Sequence, residues 1–348
     1  MGAKLTFVNN QPRMQVFRYF VNKMIWGVQI MNDSVRILKN IIDNVENVII
    51  GKRYAIELAV ISLICNGHVL IEDVPGVGKT SLVSALAKSI NASFRRIQFT
   101  PDVLPSDITG FSMYNQKNSE FEYRPGAIMS QIILADEINR TSPKTQASLL
   151  EVMEEYQVTV DGVTYKVPRP FMILATQNPV EYLGTYPLPE AQVDRFFMKI
   201  SIGYPTNSEE SYILSKFQFS NPLEKLLPVA ESSDITALQE EIKNVHMDIT
   251  LGNYIVDIVS QTRKHQDVTL GSSPRGSLSL FRAAQAWAFY NERDYVLPDD
   301  IKKMVIPVLS HRLMLKQETK LKKIKPEEIL NSIVGRINVP VVSQHETK

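Results

Sequence analysis

The sequence predicts an α/β fold: a parallel sheet flanked by helices, followed by a smaller all-helical domain. Three observations carry this. Between residues 31 and 203 short apolar runs alternate with helical patterns, the arrangement of a parallel sheet covered on both faces. After Pro205 no strand-like run of comparable length appears before the tail, and amphipathic helical stretches take over. With 348 residues and 44% hydrophobic content, the chain can bury a sizeable core and divides most naturally into two domains. The expected division is an extension at 1–30, an α/β core over 31–204, a helical domain over 205–338 and a tail at 339–348.

Taken in order, the extension holds the apolar, aromatic stretch MQVFRYFVNKMIWGVQI. Arg18 and Lys23 interrupt it and no small-residue cleavage site follows, so it reads as neither a signal peptide nor a membrane span. The regular chain begins at MNDSVRILKNIIDNV, an amphipathic helix with Ser34 as its expected N-cap, which makes Met31 the expected natural start. The helical stretch RYAIELAVISLIC follows and carries Cys65, the single cysteine. One cysteine excludes intramolecular disulfides and suits a reducing compartment, so the cytoplasm is the expected location. The expected strands are HVLIE (68–72), FRRIQF (94–99), QIILAD (131–136), PFMILAT (170–176) and FFMKISI (196–202). Helices TSLVSALAKSI and SPKTQASLLEVMEEY lie between them, the second marked by Ser142 as N-cap and Pro143 at its first position. Residues 99–116 are rich in turn formers, and YQVTVDGVTYKV alternates about Asp161-Gly162 as a two-residue β-hairpin. The helical domain opens with a capping box, Thr206 to Glu209, and continues through SEESYILSKFQ, ITALQEEIKNV, LGNYIVDIVSQTRKH, RGSLSLFRAAQAWAFYNE and DDIKKMVIPVLSHRLML.

The chemistry is concentrated where strands end. Residues 72–80, EDVPGVGKT, join the first strand to a helix. Gly76 and Gly78 permit backbone angles closed to other residues, so successive N–H groups can turn inward at the helix's positive end and hold phosphates. Asp73, Val74, Pro75, Gly76, Val77, Gly78, Lys79, Thr80 and Ser81 are the expected nucleotide-binding run. Lys79 reaches the β- and γ-phosphates, and the Thr80 hydroxyl ligates Mg²⁺. Asp73 stands where the pattern GxxxxGK[ST] asks for glycine. The third strand ends in Asp136-Glu137: Asp136 is expected to hold Mg²⁺ through water and Glu137 to polarise the attacking water. Asn178 follows the strand PFMILAT at a carboxyl edge and is suited to orient that water, although a loop asparagine before proline also satisfies a turn. Arg195 and Arg275 lie at element boundaries, where arginines can stabilise the charge that phosphoryl transfer develops; each alone equally makes an ordinary ion pair.

In order, EDVPGVGKT, QFTPDVLPSDITG, GAIMSQIILADEINRTSPKTQASLLEVMEE, VTVDGVTYKVPRPFMILATQNP, YPLPEAQVDRF and LGSSPRG resemble the AAA+ ATPases, and more closely the MoxR family of the helix-2-insert group, over about residues 45–315. The resemblance implies an AAA+ P-loop core with a helical lid. It places Lys79 and Thr80 on Walker A, Asp136 and Glu137 on Walker B, Asn178 on sensor 1, Arg275 on sensor 2 and Arg195 on the arginine finger. Gly51, in VIIGKR, matches the stretch that lies against adenine. ATP and Mg²⁺ are the implied cofactors. A finger acting on the neighbouring subunit implies a homo-oligomer, usually a hexamer. Chaperone-like remodelling or assembly of a client complex is the implied role, with a von Willebrand factor A domain protein as a possible partner. A magnesium-chelatase-like motor subunit shares the inserts, and a slow-turnover nucleotide-gated binding switch is the alternative from another class.

Composition narrows the partners. The 38 basic and 37 acidic residues give no electrostatic case for nucleic-acid binding. The one basic cluster, Lys316 to Lys325, mixes in Glu318 and adjoins Glu327 and Glu328, which reads as a solvated helix face. Asp161 at the hairpin tip disfavours a DNA translocase, where a phosphate-gripping residue would be basic. No direct insertion into a membrane is expected.

Overall fold

The computed structural model describes residues 31–178, 185–218 and 220–340. The extension at 1–30, Pro179 and most of the tail lie outside the described residues. In the core, α1 (31–46) and α2 (Arg53–Ile64) precede β1 (Val69–Glu72), α3 (Lys79–Ser89), β2 (Phe94–Gln98) and α4 (Pro105–Thr109). Next come the hairpin β3 (Gly110–Asn115) and β4 (Glu120–Pro125), then β5 (Ile132–Asp136) and α5 (Pro143–Glu155). A second hairpin, β6 (Gln157–Val160) and β7 (Val163–Lys166), leads to β8 (Met172–Gln177), α6 (Glu190–Val193) and β9 (Met198–Ile200). After β9 come α7 (Asn207–Phe217), α8 (Pro222–Lys225), α9 (Ser232–Glu241), α10 (Ile249–Lys264), β10 (Val268–Leu270), α11 (Pro274–Tyr290), α12 (Pro298–Leu309), β11 (Met314–Leu315), α13 (Gln317–Leu321) and α14 (Pro326–Arg336), which we propose as the lid. The boundary we propose, near residue 204, falls between β9 and α7.

The five central strands are parallel in the order β2-β5-β8-β1-β9. Their side chains alternate between two cores, as the two-residue period of a strand requires. Val69, Ile71, Ile132, Leu134, Met172, Leu174, Met198 and Ile200 face the core shared with α1, α2, α3 and the lid helices. Leu70, Ile133, Ala135, Ile173 and Ala175 face the second core, which is filled from α5 by Leu149, Leu150 and Met153. This double burial explains why the inner strands β1, β5 and β8 read as near-continuous apolar runs, whereas the edge strand β2 buries only Ile97. The sheet brings the candidate site residues to one edge: β1 runs directly into the loop that holds Gly76 and Gly78, β5 ends at Asp136, and β8 ends one residue before Asn178.

Three local expectations are corrected. Residues 31–46 are helical throughout, so Ser34 lies inside α1, and its hydroxyl donates to Glu241 at 2.6 Å instead of capping the helix. The turn-rich segment at 99–116 contains α4 and the first strand of a hairpin whose partner is β4. The lid also contains a short antiparallel pair, β10 with β11. Among the described residues, no helix is long and apolar enough to cross a membrane.

Candidate functional site

Pro75, Gly76, Gly78, Lys79, Thr80, Ser81, Asp136, Glu137 and Asn178 line one cleft of about 400 Å³ at the carboxyl edge of the sheet, with Arg96 and Thr176. Gly76 and Gly78 have φ of 84° and 92°, the left-handed region that glycine enters without a Cβ penalty. Gly78 also supplies the N-cap of α3, so Lys79 and Thr80 begin the helix and its unpaired N–H groups face the cleft. Lys79 Nζ donates to the Asp73 carbonyl at 2.6 Å. Burial lowers its pKa below the ordinary lysine value, opposed by the charges of Asp73, Asp136 and Glu137.

The acidic pair is held by groups that the sequence alone had not singled out. Asp136 Oδ2 accepts from Arg96 Nε and from an Arg96 terminal nitrogen at 3.1 and 2.6 Å, and its Oδ1 accepts from the Thr176 hydroxyl at 2.6 Å. The backbone N–H of Glu137 donates back to that hydroxyl at 2.8 Å, tying β5 to β8 at the site. Glu137 Oε2 accepts from Gln98 Nε2 and from Arg140, each at 2.9 Å. Glu137 sits at φ 56° and ψ 49°, a left-handed backbone that a non-glycine residue adopts at a cost; its side chain thereby leaves the line of the strand. Arg96 and Gln98 were legible in principle. They flank the buried Ile97 on β2, so a two-residue period puts both on one face, and Gln98 is in register with Asp136.

Hard oxygen ligands from Thr80 and Asp136 across a phosphate nest fit Mg²⁺, which keeps several waters and takes few protein ligands beside a nucleotide. Asp73 and Val74 do not line this cleft. The Asp73 carboxylate turns away: Oδ2 accepts from the N–H groups of Ile202 and Gly203 at 2.6 and 2.7 Å and from the Ser201 hydroxyl at 3.1 Å. An adjoining, more apolar cavity of about 230 Å³ is lined by Val48, Ile49, Val77, Pro205, Ile213 and Phe217 among others and suits a flat base. Gly51 does not line it; its neighbours Ile50 and Lys52 do.

Arg195 and Arg275 are brought together, but elsewhere. Both pair with Glu154 of α5, Arg195 at 3.1 Å, and both line a third cavity with Asp194, Phe197, Leu278, Ser279 and Arg282. No residue lining this cavity lines the phosphate cleft.

Known proteins share this fold and family. Residues 68–198 match a model of the ATPase family associated with various cellular activities, and residues 260–333 match an AAA lid domain. The chain is 39% identical over 326 residues to the chaperone MoxR1 of Mycobacterium tuberculosis, covering 91% of this chain and 86% of that protein. It is 30% identical over 294 residues to the protein MoxR of Paracoccus denitrificans, covering 77% and 86%. It is 55% identical over 305 residues to the uncharacterized protein YeaC of Bacillus subtilis, covering 88% and 95%. A crystal structure of a presumed ATPase from Cytophaga hutchinsonii superimposes with a TM-score of 0.83 at 39% identity, covering 92% of this chain and 99% of that one.

Proposed function

Because the chain belongs to the MoxR family of AAA+ ATPases, we propose that it hydrolyses Mg-ATP within a homo-oligomeric ring, in the family's usual form a hexamer, and uses the cycle to remodel or assemble a partner protein complex. The observation that carries this reading is the meeting of Lys79, Thr80, Asp136, Glu137 and Asn178 in one cleft, from three different strand ends.

Each residue has a distinct task there. The backbone nest from Gly76 to Lys79 and the Lys79 ammonium bind the triphosphate, while the base lies toward Ile49, Val77 and Phe217. Thr80 and Asp136 would hold Mg²⁺, which when bound would supply positive charge against the charge that develops on the phosphates. Glu137 polarises the attacking water and Asn178 helps orient it. Arg195 and Arg275 share a separate surface on Glu154, which supports their acting on a neighbouring subunit's nucleotide, whose phosphates take over the charge that Glu154 now neutralises. The term chaperone in the name of one relative supports a remodelling role. A von Willebrand factor A domain protein is the partner we propose, in the cytoplasm.

Steady-state hydrolysis and nucleotide titration test the reading together. Lys79→Ala should lose ATP binding. Glu137→Gln should bind ATP with near-normal affinity and lose at least about a hundred-fold in kcat, the scale of effect seen when one preorganised catalytic group is removed. Hydrolysis by Glu137→Gln at the normal rate would remove Glu137 from the role of activating carboxylate.

A further inference from the structure

Arg312, in the turn after α12, is buried to 6% exposure, yet the mechanism above gives it no task. Its guanidinium is fully engaged. One terminal nitrogen donates to the Asp194 carboxylate at 2.6 Å and to the Asp194 carbonyl at 2.9 Å. The other donates to the Phe196 carbonyl at 2.6 Å and to the Ser279 hydroxyl at 3.2 Å, and Nε donates to the Val308 carbonyl at 2.8 Å. The fork therefore grips the backbone on both sides of Arg195. His311 Nε2 lies 3.1 Å from the same Phe196 carbonyl.

The second oxygen of Asp194 extends the grip to the other arginine. It accepts from the Ser273 hydroxyl at 2.7 Å, and that hydroxyl caps α11 by accepting from the N–H of Arg275 at 3.1 Å. Ser279, a further ligand of Arg312, belongs to the same helix. One buried cation thus fixes the loop carrying Arg195 and the helix end carrying Arg275 in a single network. A buried ion pair is a poor way to add stability compared with apolar packing, and its best use is to specify one geometry. Arginine is suited to that because its donors form a rigid fork.

We propose that Arg312 is a positioning residue that sets Arg195 and Arg275 as a pair for presentation to the neighbouring subunit's nucleotide. The proposal rests on the reading that this pair acts between subunits. Arg312 itself touches no nucleotide; it acts through Asp194, Phe196 and Ser273.

The test uses the full chain and three measurements: affinity for a fluorescent ATP analogue, kcat and KM for hydrolysis, and hydrolysis after mixing with Glu137→Gln subunits under conditions where co-assembly is verified. Arg312→Lys keeps the charge and loses the fork. It is expected to bind the analogue within about two-fold of the parent, to lose at least about ten-fold in kcat with KM unchanged, and to recover hydrolysis on mixing. Recovery follows because its own site is intact and the Glu137→Gln neighbour supplies a correctly set arginine pair. A normal kcat for Arg312→Lys overturns the proposal, as does a loss that mixing fails to restore while Arg195→Ala is restored in a parallel mixture. If Arg195→Ala is not restored either, action between subunits falls, and the proposal falls with it. Should Arg312→Lys lose its cooperative melting transition, Ser273→Ala carries the test, because it cuts only the link from Asp194 to α11. The same donor-only defect is expected, at about three-fold in kcat, and an unchanged kcat counts against the proposal.

Discussion

Asp73 shows how a departure from a motif acquires meaning from its neighbours. A glycine at this position would leave the N–H groups of Ile202 and Gly203 without the carboxylate oxygen that now accepts from both. Those residues lead from β9 into the segment whose Gly203 and Pro205 line the apolar cavity proposed for the base, so one side chain joins the proposed phosphate loop to that cavity's wall. Leaving a buried donor unpaired costs about 1–3 kcal/mol. Asp73→Gly, although it restores the general consensus, is therefore expected to lower the unfolding free energy by at least about 1 kcal/mol and to weaken binding of an ATP analogue by about ten-fold. Denaturant titration and fluorescence binding check this, and parent-like values in both would show that the tether is dispensable. The sequence pointed to the residues that meet in the cleft because a phosphate nest and metal-holding carboxylates need particular residues at fixed offsets. The partners escaped because Arg96 and Thr176 reach Asp136 from neighbouring strands, and Glu154 and Arg312 reach the separate arginine pair and its loop from distant elements, where no local spacing records the pairing.

At the scale of elements, legibility followed the strength of the local signal. The turn at Asp161-Gly162 was readable because a two-residue hairpin needs positive φ at both positions, and here they have 49° and 81°. The hairpin β3-β4 was not, although Glu120 to Arg124 alternate polar and apolar, because its connection, Gln116 to Ser119, lacks the Asn-Gly or Asp-Gly signal of a two-residue turn and Phe111, Met113, Tyr114 and Phe121 are exposed, Phe121 at 74%. The central strands were found to within two residues at each end, since double burial makes the inner ones, β1, β5 and β8, apolar nearly throughout while strand ends depend on pairing. The two hairpins meet through Tyr123 and Tyr165, whose rings stack with centroids 4.0 Å apart and planes 15° apart. Stacked aromatic pairs couple by about 0.5–1.5 kcal/mol beyond their buried area. A double-mutant cycle with Tyr123→Leu and Tyr165→Leu, read by urea unfolding, should therefore return a coupling of about 1 kcal/mol. Strict additivity would mean that the hairpins stand independently, and the phosphate cleft should bind nucleotide equally in all four proteins, because neither tyrosine lines it.

Across the whole molecule, two buried imidazoles stitch distant parts together and make the fold sensitive to acid. His68, just before β1, lies between α5 and β8: Nε2 is 3.1 Å from the Met153 carbonyl, and Nδ1 accepts from the N–H of Ile173 at 3.0 Å. Accepting at Nδ1 requires the neutral ring, and burial pushes its pKa from 6.5 down to about 4. His311 performs a similar task between lid and core at the Phe196 carbonyl, and burial, reinforced by the Arg312 charge, pushes it well below the usual histidine value. The sign follows from proton binding: below pH 6.5 the unfolded chain takes up a proton at each site that the folded chain refuses. Stability is thus fully present above about pH 6.5 and, for His68, is lost progressively as the pH falls toward 4, by about 3 kcal/mol in total. Carboxylates paired in the fold add their own acid sensitivity, so the histidine contribution is read as a difference between proteins. Urea midpoints converted to free energies at pH 7, 6, 5 and 4 should fall about 3 kcal/mol less steeply for His68→Gln than for the parent, because glutamine can offer the amide donor and carbonyl acceptor without taking a proton. Parallel curves for the two proteins would mean that His68 accepts its proton inside the fold, and that the link between α5 and β8 survives a charged ring.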